Sequence, residues 1–132
     1  MPVIQAGMGV QVAKSALAAA VARAGGIGCI SSVGLGTLAG SLADYINISN
    51  QRLAEEIRMA RAAAPGGIIA VNVMMALSNY DEIVGVCVRE KVDVIISGAG
   101  LPISLPGLTA GSDVCVVPVI SSGRAMNVIL KT

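Results

Sequence analysis

Five groups of uncharged residues stand where apolar runs stop: Gln5 with the turn at 6–9, Ser31-Ser32, Asn72, Ser97-Gly98-Ala99-Gly100, and Ser121-Ser122-Gly123. Their chemistry is recognition without charge. Glycine lets a backbone amide approach a flat molecule, and asparagine offers a donor and an acceptor side by side. Such a set suits a neutral heteroaromatic ring, for example that of a flavin. Singly, each residue has a plainer use: glycine and serine make turns, and asparagine caps a helix. Together the five sites point to a ligand.

Other chemistries lack their parts. The chain has no histidine, so no Ser-His or Cys-His pair exists, and no carboxylate ends an apolar run where a base would stand. Asp93 opens its run, on the rim opposite the candidate site, where a capping or solvated role is expected. No catalytic residue is therefore assigned. Gly7-Met8-Gly9 begins like a dinucleotide fingerprint, but Val12 replaces the third glycine and Ser31-Ser32 stands where the ribose-binding acid belongs. No G-K-[ST] occurs, which excludes a P-loop. Cys29, Cys87 and Cys115 are far apart with no histidine, so no metal site is assigned; they read as small buried thiols in a reducing, cytoplasmic setting.

The elements that must position these groups alternate. A short strand at Val3-Ile4 leads to a helix over 13–24 whose stripe is Leu17, Val21 and Ala24, then a strand over 27–30. A glycine-containing connection over 34–48 reads as a functional loop. Asn50 suits the N-cap of a helix reaching 64, with Arg52/Glu56 and Glu55/Arg58 as surface pairs. Residues 68–74 form a nearly continuous apolar run, as in a parallel strand buried on both faces, interrupted only by Asn72. Ser78/Asp81 and Asn79/Glu82 have capping-box spacing and open a helix through 91. A strand over 92–96, a short helical piece over 105–110, a strand over 114–120 and a helix from 124 complete the chain. At roughly 30 residues per βα unit, this alternation gives a parallel sheet with helices outside. An open doubly wound sheet and a (β/α)8 barrel both satisfy it.

The chain is 132 residues, 55% apolar and 13% charged, with a net charge of +1. Charge is well below the usual quarter, as when strands are buried on both faces or covering surface is missing. Scattered Lys and Arg, two Tyr and no Phe or Trp give neither an electrostatic footprint nor a stacking platform for nucleic acid. Residues 24–43 lack charge over a bilayer-spanning length, but six glycines and Ser31-Ser32 break them, and no basic cluster or aromatic belt flanks them. A buried strand followed by a loop explains them better than a membrane span does.

Pro2-Val3-Ile4-Gln5-Ala6-Gly7-Met8-Gly9, Ala24-Gly25-Gly26-Ile27-Gly28, Val71-Asn72-Val73-Met74 and Val92-Asp93-Val94-Ile95-Ile96-Ser97-Gly98-Ala99-Gly100 resemble, in order and spacing, the motifs of one family. It is the nitronate monooxygenase (2-nitropropane dioxygenase-like) family of FMN-dependent barrels, which includes flavin-dependent enoyl-acyl-carrier-protein reductases. The resemblance implies that Gly7 and Met8 lie against FMN through their backbone, that Asn72 hydrogen-bonds it, and that Gln5, Gly98, Ala99 and Gly100 line the substrate pocket beside it. It implies a nitronate as substrate with dioxygen as oxidant, or an enoyl thioester reduced by NAD(P)H in the reductase branch. Ala6 departs from the family's usual glycine and is expected to crowd the turn slightly.

A full barrel takes at least about 200 residues. The expected fold is therefore α/β, the amino-terminal half of a (β/α)8 barrel of about four and a half βα units. Residues 1–132 would be one partial domain, truncated at its C-terminus and clipped at its N-terminus. The family's catalytic histidine and phosphate-binding turns lie beyond the part that this chain resembles. Uncovered strand edges and apolar faces imply self-association, and a non-catalytic α/β module acting through it is the alternative to an enzyme.

Overall fold

Strand order separates the two architectures. In the computed structural model, which describes residues 3–36 and 40–131, the elements are α1 (Ser15–Arg23), β1 (Ile27–Ser31), α2 (Leu42–Ala63), β2 (Ile68–Met74), α3 (Tyr80–Arg89), β3 (Val94–Gly98), α4 (Leu105–Leu108), β4 (Cys115–Pro118) and α5 (Gly123–Ile129). The sheet runs β1-β2-β3-β4, all parallel, with no reversal. A doubly wound sheet reverses its order at a switch point and carries helices on both faces. Here the main core lies on one face: Ile30, Val71 and Ile95 of the strands meet Ala18 of α1, Leu53 and Ile57 of α2, and Val84 of α3. The other face carries a small cluster of Cys29, Ala70 and Val94, backed by Ile27, Ile96 and Val117. The fold is α/β, the amino-terminal part of a (β/α)8 barrel with its helices outside and its inner face exposed at Ile68, Met74 and Val119.

Ahead of β1 the chain makes an edge segment. Ile4 bridges Ile27 in parallel; Ile27 N–H donates to the Val3 carbonyl at 2.8 Å and Gln5 N–H to that of Ile27 at 3.0 Å. The first strand expected from the sequence is therefore a single bridge flanked by two rungs.

Several boundaries differ from the sequence reading, each for a local reason. In α1 the buried stripe is Ala18, Ala19 and Ala22, while Leu17 is exposed. The helix lies so close to β1 that only methyl-sized side chains fit between them. Helix α2 starts at Leu42, well before Asn50: Ser41 caps it and forms a capping box with Asp44, which shortens the expected loop. Residues 37–39 of that loop lie outside the described residues. Asn50 is mid-helix and donates to Glu82 at 2.9 Å, so the capping box proposed for α3 does not form. Strand β3 begins at Val94, because the Asp93 carboxylate instead accepts the Ile69 N–H at 2.8 Å and pairs with Arg61 at 3.2 Å. Strand β4 is shorter than expected, and Cys115 is exposed rather than buried, while Cys29 and Cys87 are buried. Within residues 24–43, 27–31 form a strand and Leu42 opens a helix, and among the described residues no helix is long and apolar enough to cross a membrane.

The surface pairs of α2 are also redistributed. Arg52 reaches Glu55, and Arg58 reaches Glu90. Glu56 is buried and holds the start of α1: its carboxylate accepts the Ser15 N–H at 2.8 Å and pairs with Lys14 at 2.9 Å. Lys14, the N-cap residue, makes no side-chain capping bond, so Glu56, 41 positions beyond Ser15, does that work. Burial alone would raise the Glu56 pKa; the bonds from Ser15 and Lys14 outweigh it and hold the carboxyl below its ordinary value. Its contribution to stability is present above the ordinary glutamate range and is lost as pH falls through the lower, folded-state value. Glu56→Gln is expected to cost about 1–3 kcal/mol at neutral pH. Urea unfolding should show that deficit shrinking as the solution is acidified; a deficit that is constant with pH would contradict the pairing.

Candidate functional site

The site residues gather at the carboxyl ends of the strands, beginning where the edge segment leaves the sheet. After Gln5 the backbone turns away: Met8 N–H donates to the Ala6 carbonyl at 3.0 Å, and the Met8 carbonyl accepts Ala13 N–H at 2.9 Å. Gly7 settles on Asn72. A methyl built on Gly7 would overlap the Asn72 Cβ and lie 3.0 Å from its Cγ and 3.2 Å from the Cys29 sulfur. Only glycine permits this approach. Ala6 faces solvent, so its methyl does not crowd the turn as expected. Met8 is 58% exposed, its side chain open above the turn.

Asn72 projects from the inner face of β2, opposite Ser31 of β1 and Ile96 of β3. It is half-buried, and its side-chain amide has no hydrogen-bond partner among the described residues. Its own backbone is fully engaged, with Ser32 N–H donating to the Asn72 carbonyl at 3.1 Å. Ser31 backs Gly9, with its hydroxyl 3.5 Å from where a Gly9 methyl would stand. The Ser32 hydroxyl is buried without a partner among the described residues.

Gln5 joins the edge segment to β1 through its side chain. Its side-chain amide is engaged with β1, donating to the Cys29 carbonyl at 3.0 Å and accepting the Cys29 N–H at 3.2 Å. These two bonds tie the edge segment to β1.

The second portion of the site is the turn after β3. Gly98 pairs with Met74 across the sheet, and Met75 N–H donates to the Gly98 carbonyl at 2.8 Å. Ala99 (φ 58°) and Gly100 (φ 149°) then take backbone conformations that L side chains rarely adopt. The turn leans on Met75, whose sulfur is 3.1 Å from where a Gly100 methyl would be. With Leu101, Val119, Ile120, Ser121 and Ala125, Ala99 and Gly100 line a groove that does not include Gln5, Gly7, Met8 or Asn72. The structure thus brings Gln5, Gly7 and Asn72 into one cluster and places 98–100 beside it, next to Met74-Met75. Ser122 caps α5, accepting the Ala125 N–H at 3.2 Å.

Two contributors escaped the sequence reading. Cys29 forms the floor under Gly7, and Met75 backs the 98–100 turn. The period-two alternation of β1 was the available signal for Cys29, which shares its face with Ser31. Burial pushes the Cys29 thiol up to about 11, against a hydrogen bond from the Asn72 backbone, so the sulfur is neutral at physiological pH. The wall is therefore uncharged throughout. Among the described residues no group of His, Cys, Asp and Glu could hold a metal ion.

These features fit a flavin ring: a flat backbone surface at Gly7, an Asn72 amide awaiting a donor–acceptor partner, and a dry floor of Cys29, Ala70 and Val94. Asn72 and the backbone of Gly7 and Met8 are the residues that would hold it.

No curated protein matches the chain. Among solved structures, the chain is similar to FabK from Thermotoga maritima, with TM-score 0.78 and 27% identity over 97% of this chain and 36% of that one. A point mutant of the same FabK gives TM-score 0.74 and 28% identity over 95% and 38%. The chain thus spans little more than a third of the length of these structures. The family model described as nitronate monooxygenase matches residues 1–83, which include the edge segment, the Gly7 turn and Asn72, and the chain belongs to that family.

Proposed function

We propose that this chain forms the first wall of the flavin site of an FMN-dependent oxidoreductase that oxidises alkyl nitronates with dioxygen. The observation that carries the reading is the unpartnered Asn72 amide, held against Gly7 at the strand ends in an uncharged setting. Bound there, FMN would supply the redox chemistry, accepting reducing equivalents from substrate. The chain's own residues bind and orient. Asn72 offers one donor and one acceptor to a ring edge, and Gly7 lets the ring lie flat. With no histidine in the sequence and a neutral Cys29, no residue of this site moves a proton. Reduction of an enoyl thioester is the second reading, favoured by the likeness to FabK over 97% of this chain.

Titrating the chain into FMN tests the reading. Flavin fluorescence is expected to fall as the ring is covered, with weak affinity, since the site residues present no cation to a phosphate. Asn72→Leu should abolish the response. Unchanged fluorescence at high chain concentration would count against the reading.

We also propose that the chain pairs with a second copy of itself. Ile68, Met74 and Val119 on the inner side of the sheet are 46%, 36% and 55% exposed. The sheet is open at the Ile4 segment and at β4, which point the same way. A two-fold axis along the strands brings each open edge to the other in parallel. Light scattering after size exclusion should give a dimer or larger species; a compact, stable monomer contradicts this.

A further inference from the structure

We infer that Gln5 is a positioning residue whose side-chain amide takes the place of a peptide group in the sheet, releasing the backbone at 6–9 to form the wall over Asn72. The inference rests on the flavin reading only for its consequence in binding.

The ladder between the edge segment and β1 has two backbone rungs, Ile27 N–H to Val3 and Gln5 N–H to Ile27. A regular parallel pair continues with Cys29 N–H to the Gln5 carbonyl and residue 7 N–H to the Cys29 carbonyl. Neither bond forms. Both groups of Cys29 are instead met by one side chain: Gln5 Oε1 accepts the N–H at 3.2 Å, and Gln5 Nε2 donates to the carbonyl at 3.0 Å. Cys29 is fully buried, so without Gln5 its two backbone groups would lose their partners or pull the edge backbone back into the sheet.

The substitution has a structural effect at Gly7. Freed from the ladder, the backbone folds through the Met8-to-Ala6 bond and lands on Asn72. The Gly7 N–H is left with no partner among the described residues. The same Nε2 also approaches the Ala6 carbonyl at 3.3 Å, tying the start of the turn to the rung. Among side chains of this length, only glutamine carries a donor and an acceptor in the geometry of a peptide. Glutamate supplies two acceptors and leaves the Cys29 carbonyl unmet; methionine supplies neither.

The test uses the chain and two variants, Gln5→Met and Gln5→Glu, observed by NMR without ligand and then with FMN. Wild type is expected to show a nuclear Overhauser contact between Gly7 and the Asn72 side chain, with a protected Cys29 amide. Both variants should lose the contact, and in Gln5→Met the Cys29 amide should exchange about tenfold faster or more, as for a lost hydrogen bond worth ~1.4 kcal/mol. FMN affinity should fall about tenfold alongside. If Gln5→Met does not fold, the isosteric Gln5→Glu decides, since it keeps the acceptor for the Cys29 N–H. Variants that retain both the Gly7–Asn72 contact and the FMN response would overturn the inference. A wild-type chain with the contact but without any FMN response would overturn the flavin reading, and loss of the contact in the variants would still support the role of Gln5.

Discussion

Gly28→Ala is expected to be the most damaging single methyl in the chain, lowering stability by about 3 kcal/mol. Gly28 lies in β1 directly beneath α1. A methyl there would intrude on the Ala18 carbonyl oxygen and stand 2.6 Å from its carbon and 2.9 Å from its Cα. All three atoms are backbone, so no rotamer change relieves the overlap; α1 must lift from the sheet. That helix has little to hold it, since its buried stripe is three alanines. Lifting it also moves Ser15 from the Glu56 carboxylate, so two attachments weaken together. Urea unfolding measures the loss. Gly107→Ala is the control: nothing lies within 4 Å of the added methyl in α4, and its stability should be unchanged or slightly higher. Equal effects from the two variants would contradict the close approach of α1.

Gly7→Ala is expected to act on binding more than on folding. The added methyl would overlap the Asn72 Cβ, which β2 holds in place, so the 6–8 turn must rise from the sheet. The turn is at an open edge and can move without disturbing the main core, so a loss of no more than about 1–2 kcal/mol in stability is expected. Flavin affinity, in contrast, should drop at least about tenfold, because the flat surface and the Asn72 amide are separated. Flavin fluorescence on the same samples checks both halves. Ala6→Gly provides the comparison: Ala6 faces solvent, so removing its methyl should leave binding unchanged.

Much of this architecture can be read from local pattern. The run over 68–74 is β2 to the residue, because a continuous apolar sequence bounded by Pro65-Gly66-Gly67 marks a parallel strand, here buried at 69–71 and 73 and exposed at its two ends. The start of α2 is harder. Its capping box, Ser41 with Asp44, follows a glycine-rich stretch that reads as loop, and Asn50 is an attractive but false cap. Glu56 reads as a surface charge because its partners, Lys14 and Ser15, lie on another helix. The same limit applies to the site. Gln5, Gly7 and Asn72 stand out by residue type, yet the Gln5 bond to Cys29 spans 24 positions and joins a side chain to backbone, so no sequence period reveals it. Parity along β1 places Cys29 on the inner face; only packing shows that it supports Gly7.

The central claim, that the strand ends from Gln5 to Gly100 form one wall of a flavin site, is tested most directly by mapping amide resonances of the chain during an FMN titration. Such mapping registers weak binding. The expected result is a saturable change at Gly7, Met8, Asn72 and Gly98 to Gly100, with Gly66 and Gly111, which lie in turns away from these strand ends, unmoved. Resonances at Gly7 and Asn72 that stay fixed at millimolar FMN, or changes spread evenly over the surface, would contradict it.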